Sequence, residues 1–204
     1  MSPSSENETL EAILQLAANG DEEAWREIVD RYSNRVFGLI RAQCGNADLA
    51  EEITQSAFCT MAAKIGNYTE SGRFEPWLFR IAVNRLRDEM RRRKRHATPV
   101  EDDKLVGMAG AANDEVKRAG SDEPEVVALR EAITQLSDAD QQIIHLRHFG
   151  GLSFKQIADI LEQPLGTVLA RQHRALKKLK DLIESTTGES PNSGTDEESR
   201  QGIA

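Results

Sequence analysis

Apolar residues recur along this chain at three- and four-residue intervals, and nowhere do they alternate. Leu10, Ile13, Leu14 and Ala17 share one helical face, and Gly20 stops it. Trp25, Ile28, Val29, Tyr32, Val36, Phe37 and Ile40 carry the period into a second, longer helix that Gly45-Asn46 breaks. A third helix follows from about Ala47 to Lys64. A fourth starts at Pro76, a residue suited to a first helical turn. Phe79, Val83, Leu86 and Met90 line one of its sides while Trp77 and Ile81 lie opposite, so its first two turns read as buried nearly all round. Beyond Asn84 the second side turns polar, and Asn84, Arg87, Asp88, Arg91 and Arg95 fall within one broad face.

The period returns near the other end. "LSFKQIADILEQPLGTVLARQHRALKKLKDLI" has the layout of a helix-turn-helix. Ser153 with Gln156 three residues on is a capping-box start, and Phe154, Ile157, Ala158 and Leu161 form an apolar stripe. After a short turn, Pro164 opens a second helix with Leu165, Val168, Leu169, Ala175, Leu176, Leu179 and Ile183 on one side. Thr167, Arg171, Arg174 and Lys178 line another, with no acid before Asp181. A recognition helix needs this division, one side fixed to its neighbour and the other presenting arginine to base edges and phosphates. An amphipathic bundle helix with basic solvent residues is the plainer alternative. Two stretches carry no period: 96–125, which lacks aromatics, and 185–204. The expected fold class is therefore all-α. Two small helical domains, 1–95 and 124–184, are joined by a flexible acidic linker, 96–123, and followed by a disordered tail, 185–204. The second domain is a helix-turn-helix of the winged-helix-like kind.

Charge sharpens this division. The chain has 34 acidic and 26 basic residues, net −8, yet the acidity is local. Residues 1–23 carry six acids and no base, 101–125 eight acids against three bases, and 185–204 four against one, which leaves the remainder at about +6. Arg85 to Arg95 alone holds seven Lys/Arg and two acids. That is more positive charge than a helix C-terminus calls for, and it points to a polyanion. Other classes fall away. No apolar run reaches the ~18 residues of a membrane span and the polar start shows no export signal, which predicts a cytoplasmic protein. Cys44 and Cys59 lack metal or redox spacing and read as reduced thiols. His145 and His148 share a helix face but no third ligand is evident, so neither a metal nor another cofactor is expected. With no convergent carboxylates either, the chain does not read as an enzyme.

Three stretches resemble one family. "QIADILEQPLGTVLARQHRALKKL" is similar to the −35-reading helix-turn-helix of bacterial RNA polymerase sigma factors of the extracytoplasmic-function (ECF) group. "ADLAEEITQSAF" resembles their polymerase-clamp-binding segment, and "FEPWLFRIAVNRLRDEMRRRKR" their −10-reading helix, in the same order along the chain. The resemblance implies a factor that grips core RNA polymerase at the clamp of the beta-prime subunit. It would place one domain on the −35 duplex and the other on the −10 single strand, without membrane insertion. An anti-sigma factor is a further partner the family allows. By the same resemblance, Asp48, Glu51, Glu52 and Gln55, at i, i+3, i+4 and i+7 opposite Leu49, Ile53, Ala57 and Met61, become the polymerase contact. Asn84, Arg87 and Arg91 become the −10 strand contacts, with Tyr68 and Phe74 around the loop "GNYTESGRF" as base-stacking candidates or core. Arg80 stands between a structural and a DNA role. Thr167, Arg171, Arg174 and Lys178 become the −35 contacts.

Departures from the family pattern matter too. Where relatives usually have "GTVKSRLHRARKKL", this chain has Leu169 for the lysine, Ala170 for the serine, Gln172 for the apolar position and Leu176 for an arginine. The competing reading is a stand-alone helix-turn-helix regulator that binds duplex DNA without polymerase. It leaves residues 8–95 unused. Under the sigma reading, acidic segments and a linker that permits many separations keep the free chain from gripping both promoter elements.

Overall fold

The computed structural model describes residues 3–69, 72–96 and 124–187, with side chains over 9–69, 72–95 and 125–185. Among them there are helices and no strands: α1 (Pro3–Ala18), α2 (Glu22–Cys44), α3 (Ala47–Lys64), a 3₁₀ turn (Ile65–Asn67) and α4 (Phe74–His96), then α5 (Pro124–Thr134), α6 (Asp138–His148), α7 (Phe154–Leu161) and α8 (Leu165–Thr187). The expected linker, His96 apart, and the expected tail, 185–187 apart, lie outside the described residues, as do Glu70 and Ser71.

Local chemistry sets the breaks. Gly20 takes φ +89°, and Asp21 caps α2 by accepting the Ala24 N–H at 2.8 Å. Gly45, at φ +70°, ends α2 in a left-handed turn, and Asn46 then caps α3 through the Leu49 N–H at 2.7 Å. Ser153 and Gln156 form the expected reciprocal capping box at the start of α7.

Helices α1 to α4 enclose one apolar core that includes Ile28, Val36, Leu39, Met61, Leu78 and Phe79. That core does not stop at the first body. Ile143 and Leu146 of α6, Leu152, Ile157 of α7 and Val168 of α8 belong to the same cluster, while α5, α6 and α8 share a smaller one around Ala132, Ile144 and Leu179. The two bodies are packed together, where the linker's composition suggested many separations.

Arg35 is the polar centre of that packing. From α2 it donates Nε and Nη2 to the Gly150 carbonyl at 3.1 and 2.6 Å, and Nη1 to Glu75 of α4 at 2.7 Å. The other Glu75 oxygen accepts from Gln156 Nε2 of α7 at 3.1 Å. The guanidinium also lies over the Tyr32 and Phe79 rings, 5.7 and 5.3 Å from their centroids. This geometry explains Gly150-Gly151. A Cβ at Gly150 would come within 2.6 Å of the Leu146 carbonyl oxygen, and one at Gly151 (φ +65°) within 3.4 Å of Arg35.

His145 shows the cost of burial at the same junction. It is 5% exposed, its Nδ1 finds no protein partner, and it borders a cavity of about 260 Å³ with Gln43, Arg87, Met90, Asp138 and Gln141. Desolvation, with a further push from His148, lowers it to about 4 from the usual 6.5. Because the folded value is the depressed one, the unfolded chain takes up a proton first as pH falls through 6.5. Stability is then lost progressively until the folded value is reached. Between pH 6.5 and 5 this amounts to about 2 kcal/mol. Urea midpoints at those two pH values should fall for the wild type and fall less for His145→Gln; equal losses would place the acid sensitivity elsewhere.

Candidate nucleic-acid and protein interfaces

The acidic face of α3 is built as its spacing implied. Leu49, Ile53, Ala57 and Met61 are buried, and Asp48, Glu51, Glu52 and Gln55 look outward on the opposite side. The cap at Asn46 fixes where this face begins.

Helix α4 leaves the core and ends in solvent. Phe79, Val83 and Leu86 are buried, while Met90, placed by the sequence on the same line, is exposed because the core ends a turn earlier. Asn84, Arg87 and Arg91 are exposed, and Arg87 reaches Asn84 Oδ1 at 3.3 Å. Not all the arginines here are presented to solvent alike. Arg92 and Arg93 both bond Glu89, at 2.7 and 2.8 Å, and hold its carboxyl down at about 2, while Arg85 donates to the Thr60 hydroxyl at 2.7 Å. Glu89 thus stays ionised across the physiological range and orients two of the seven cations.

Beside the start of α4 lies a cavity of about 270 Å³ bordered by Tyr68, Arg73, Pro76, Trp77, Arg80 and Asp159. Tyr68 stacks on Trp77, with ring centroids 4.6 Å apart and planes at 24°. Phe74 is not at this surface. It is 1% exposed, its ring 5.3 Å from Tyr32 and 5.8 Å from Tyr68, so it is a core residue with no face left to stack a base. Trp77, read from sequence only as a buried position, is the ring that borders the cavity with Tyr68. The signal was available, since an aromatic in a first helical turn after a loop stands at the loop's edge. Arg80 donates to the Asp159 carbonyl and lies 3.7 Å from Glu162, linking the cavity wall to α7.

On α8 the structure redraws the expected faces. Val168, Gln172, Ala175 and Leu179 are buried, whereas Leu165, Leu169 and Leu176 are 44%, 43% and 47% exposed and do not join the apolar side. The buried arc runs through Gln172, 7% exposed, whose Oε1 finds no protein partner, and nothing in the packing explains the choice of an amide there. Of the four −35 candidates, Thr167 and Arg174 face outward. Arg171 leans toward Asp140 of α6 at 3.7 Å, and Lys178 donates to the Gln135 carbonyl at 2.6 Å, so both also tie α8 to its own domain. Among the described residues no group of three potential metal ligands occurs.

Residues 28–96 match the family model for Sigma-70 region 2, and residues 132–181 that for Sigma-70, region 4. The chain is 34% identical over 181 residues to the ECF RNA polymerase sigma factor SigW of Bacillus subtilis, covering 83% of this chain and 96% of that relative. Two solved structures share the fold. CnrH in complex with the cytosolic domain of CnrY has a TM-score of 0.61 at 20% identity, covering 86% of this chain and 97% of that one. The sigma factor RpoE of Bartonella quintana, in complex with the anti-sigma factor NepR, has a TM-score of 0.58 at 21% identity, covering 78% and 96%.

Proposed function

This chain belongs to the ECF RNA polymerase sigma factors, and from that membership we propose how its exposed faces divide the work. As a sigma factor it binds core RNA polymerase and directs promoter-specific initiation of transcription. The observation that carries the division is that one acidic and two basic faces stand outward on three different helices, each braced by a buried side.

Residues 1–95 form the domain that binds polymerase and the −10 element, and 124–184 the −35 domain. On α3, Asp48, Glu51, Glu52 and Gln55 meet the basic clamp of the beta-prime subunit. On α4, Asn84, Arg87 and Arg91 track the phosphates of the −10 single strand. An everted base enters the cavity beside Tyr68 and Trp77, where Arg73 and Arg80 supply charge. On α8, Thr167 and Arg174 face the −35 duplex, with Arg171 and Lys178 setting the helix at its angle and reaching phosphates from the flank. The chain itself carries no catalytic group in this reading. No helix among the described residues is long and apolar enough to cross a membrane, and we place its action in the cytoplasm beside polymerase. An anti-sigma factor is a further proposed partner, in line with the NepR complex of its structural relative.

Exchanging Asn84 and Arg91 for alanine tests the −10 assignment. Permanganate footprinting of the reconstituted holoenzyme should show lost strand opening while association with core polymerase is retained. Intact opening with lost polymerase binding would make α4 a protein interface.

A further inference from the structure

The outward arc of α8 poses a chemical problem for a helix meant to read bases. In its first two turns the side chains that face solvent are Leu165, Thr167, Leu169 and Ala170, and a Cβ placed on Gly166 would meet nothing within 4 Å. None of these carries a charge or an amide. The first outward cation is Arg174, because Arg171 leans toward Asp140. The adjacent positions 169 and 170 present an exposed leucine and an exposed alanine.

A recognition helix enters the major groove with its N-terminal turns, and that groove offers one apolar feature, the C5-methyl group of thymine. Resting on the assignment of α8 to the −35 element, we propose that Leu169, with Ala170 beside it, reads thymine methyl groups in that element. Arg174 anchors the helix on a guanine edge or a phosphate, and Thr167 adds its own methyl or hydroxyl. Charge favours DNA over an apolar protein partner for this arc. His173, Arg174, Lys177, Lys178 and Lys180 flank it, and no acid occurs on α8 before Asp181. Such a rim suits phosphates. Leu176 lies two turns beyond Leu169, where the helix leaves the groove, and takes no part in the reading.

The consequence is a −35 preference that depends on a methyl group rather than on hydrogen bonds at the positions Leu169 and Ala170 face. The full-length chain is reconstituted with core polymerase and used to transcribe a library randomised across the −35 region. The sequences selected should contain a thymine that Leu169→Lys no longer selects. A template carrying the selected element is then made with deoxyuridine in place of each thymine, which removes the methyl and leaves every hydrogen-bonding edge intact. Open-complex formation should fall about three- to tenfold at one or two adjacent positions, the scale of one or two buried methyl groups, and the loss at the position Leu169 faces should vanish with Leu169→Ala. Leu169 is 43% exposed, so the variant keeps its fold, and circular dichroism checks that. If scrambling the −35 region abolishes transcription but no deoxyuridine matters, α8 still reads that element and the methyl proposal is wrong. If scrambling has no effect, the assignment of α8 itself fails. Retained methyl sensitivity in Leu169→Ala together with weakened polymerase binding would make the leucines a protein contact and overturn the proposal.

Discussion

Exchanging Glu51 and Gln55 for lysine together should all but abolish recovery of the protein with core polymerase while leaving its helix content unchanged. The two positions lie one turn apart on the exposed face of α3, and the change adds three positive charges where the proposed partner surface is basic. Placing like charges across an interface costs several kilocalories per mole, so the affinity should drop at least about 100-fold. The fold should not follow. The buried side of α3, with Ala57 and Met61 at its centre, is untouched, and a lysine pair at i, i+4 costs an isolated helix only a few tenths of a kcal/mol. Co-purification with core polymerase, with circular dichroism as the control, decides the matter. Binding at normal affinity would move the interface off α3, and lost binding with lost helicity would mean that the face is structural.

The reason α3 could be read so directly shows which features a sequence makes legible. Its period is regular, it is bounded by Asn46 on one side and a 3₁₀ turn on the other, and it meets its neighbours along one stripe. The pattern then has a single solution. Helix α8 has two neighbouring apolar stripes, Val168, Ala175 and Leu179 on one and Leu165, Leu169 and Leu176 on the other, and periodicity alone could not say which one is covered. The answer came from α5 and α6, which claim the side bearing Ala175 and Leu179 and leave Leu169 and Leu176 outside. Phe74 stayed open between stacking and core for a similar reason, since a loop-edge aromatic and a core aromatic look alike until Tyr32 is seen beside it. The contact between the bodies was invisible. Arg35, Glu75, Gly150 and Gln156 are far apart in sequence, and no local pattern marks them as one cluster.

That cluster supports the other large effect. Free in solution, the protein should hold its two bodies together, and Arg35→Ala should part them. The substitution leaves the Gly150 carbonyl and the Glu75 carboxylate without their guanidinium partner. Both groups of the Arg35–Glu75 pair are less than a third exposed. Losing these bonds should shift the balance between packed and parted bodies by about 2–3 kcal/mol, on the order of 30- to 150-fold. A dye pair reads this out, one at Cys59, which is exposed, and one at a cysteine replacing Lys177 on α8. Cys44 does not compete for label, being buried with its thiol pushed up by that burial. The wild type should show one short distance and Arg35→Ala a longer, broader distribution. Promoter binding follows from the same geometry. In the packed form Asp159 of α7 borders the cavity proposed for the −10 base, and α7 engages Arg80. The free chain should therefore bind promoter DNA weakly and gain specificity only with core polymerase, which must separate the bodies to place them on two elements. Arg35→Ala should bind a −10 single strand more tightly than the wild type in the absence of polymerase. If the wild type already shows the broad distribution, the bodies are independent in solution, and its weak DNA binding must come from its acidic segments alone. If Arg35→Ala parts the bodies without strengthening single-strand binding, Arg80 and the aromatic cavity are not what the packing withholds.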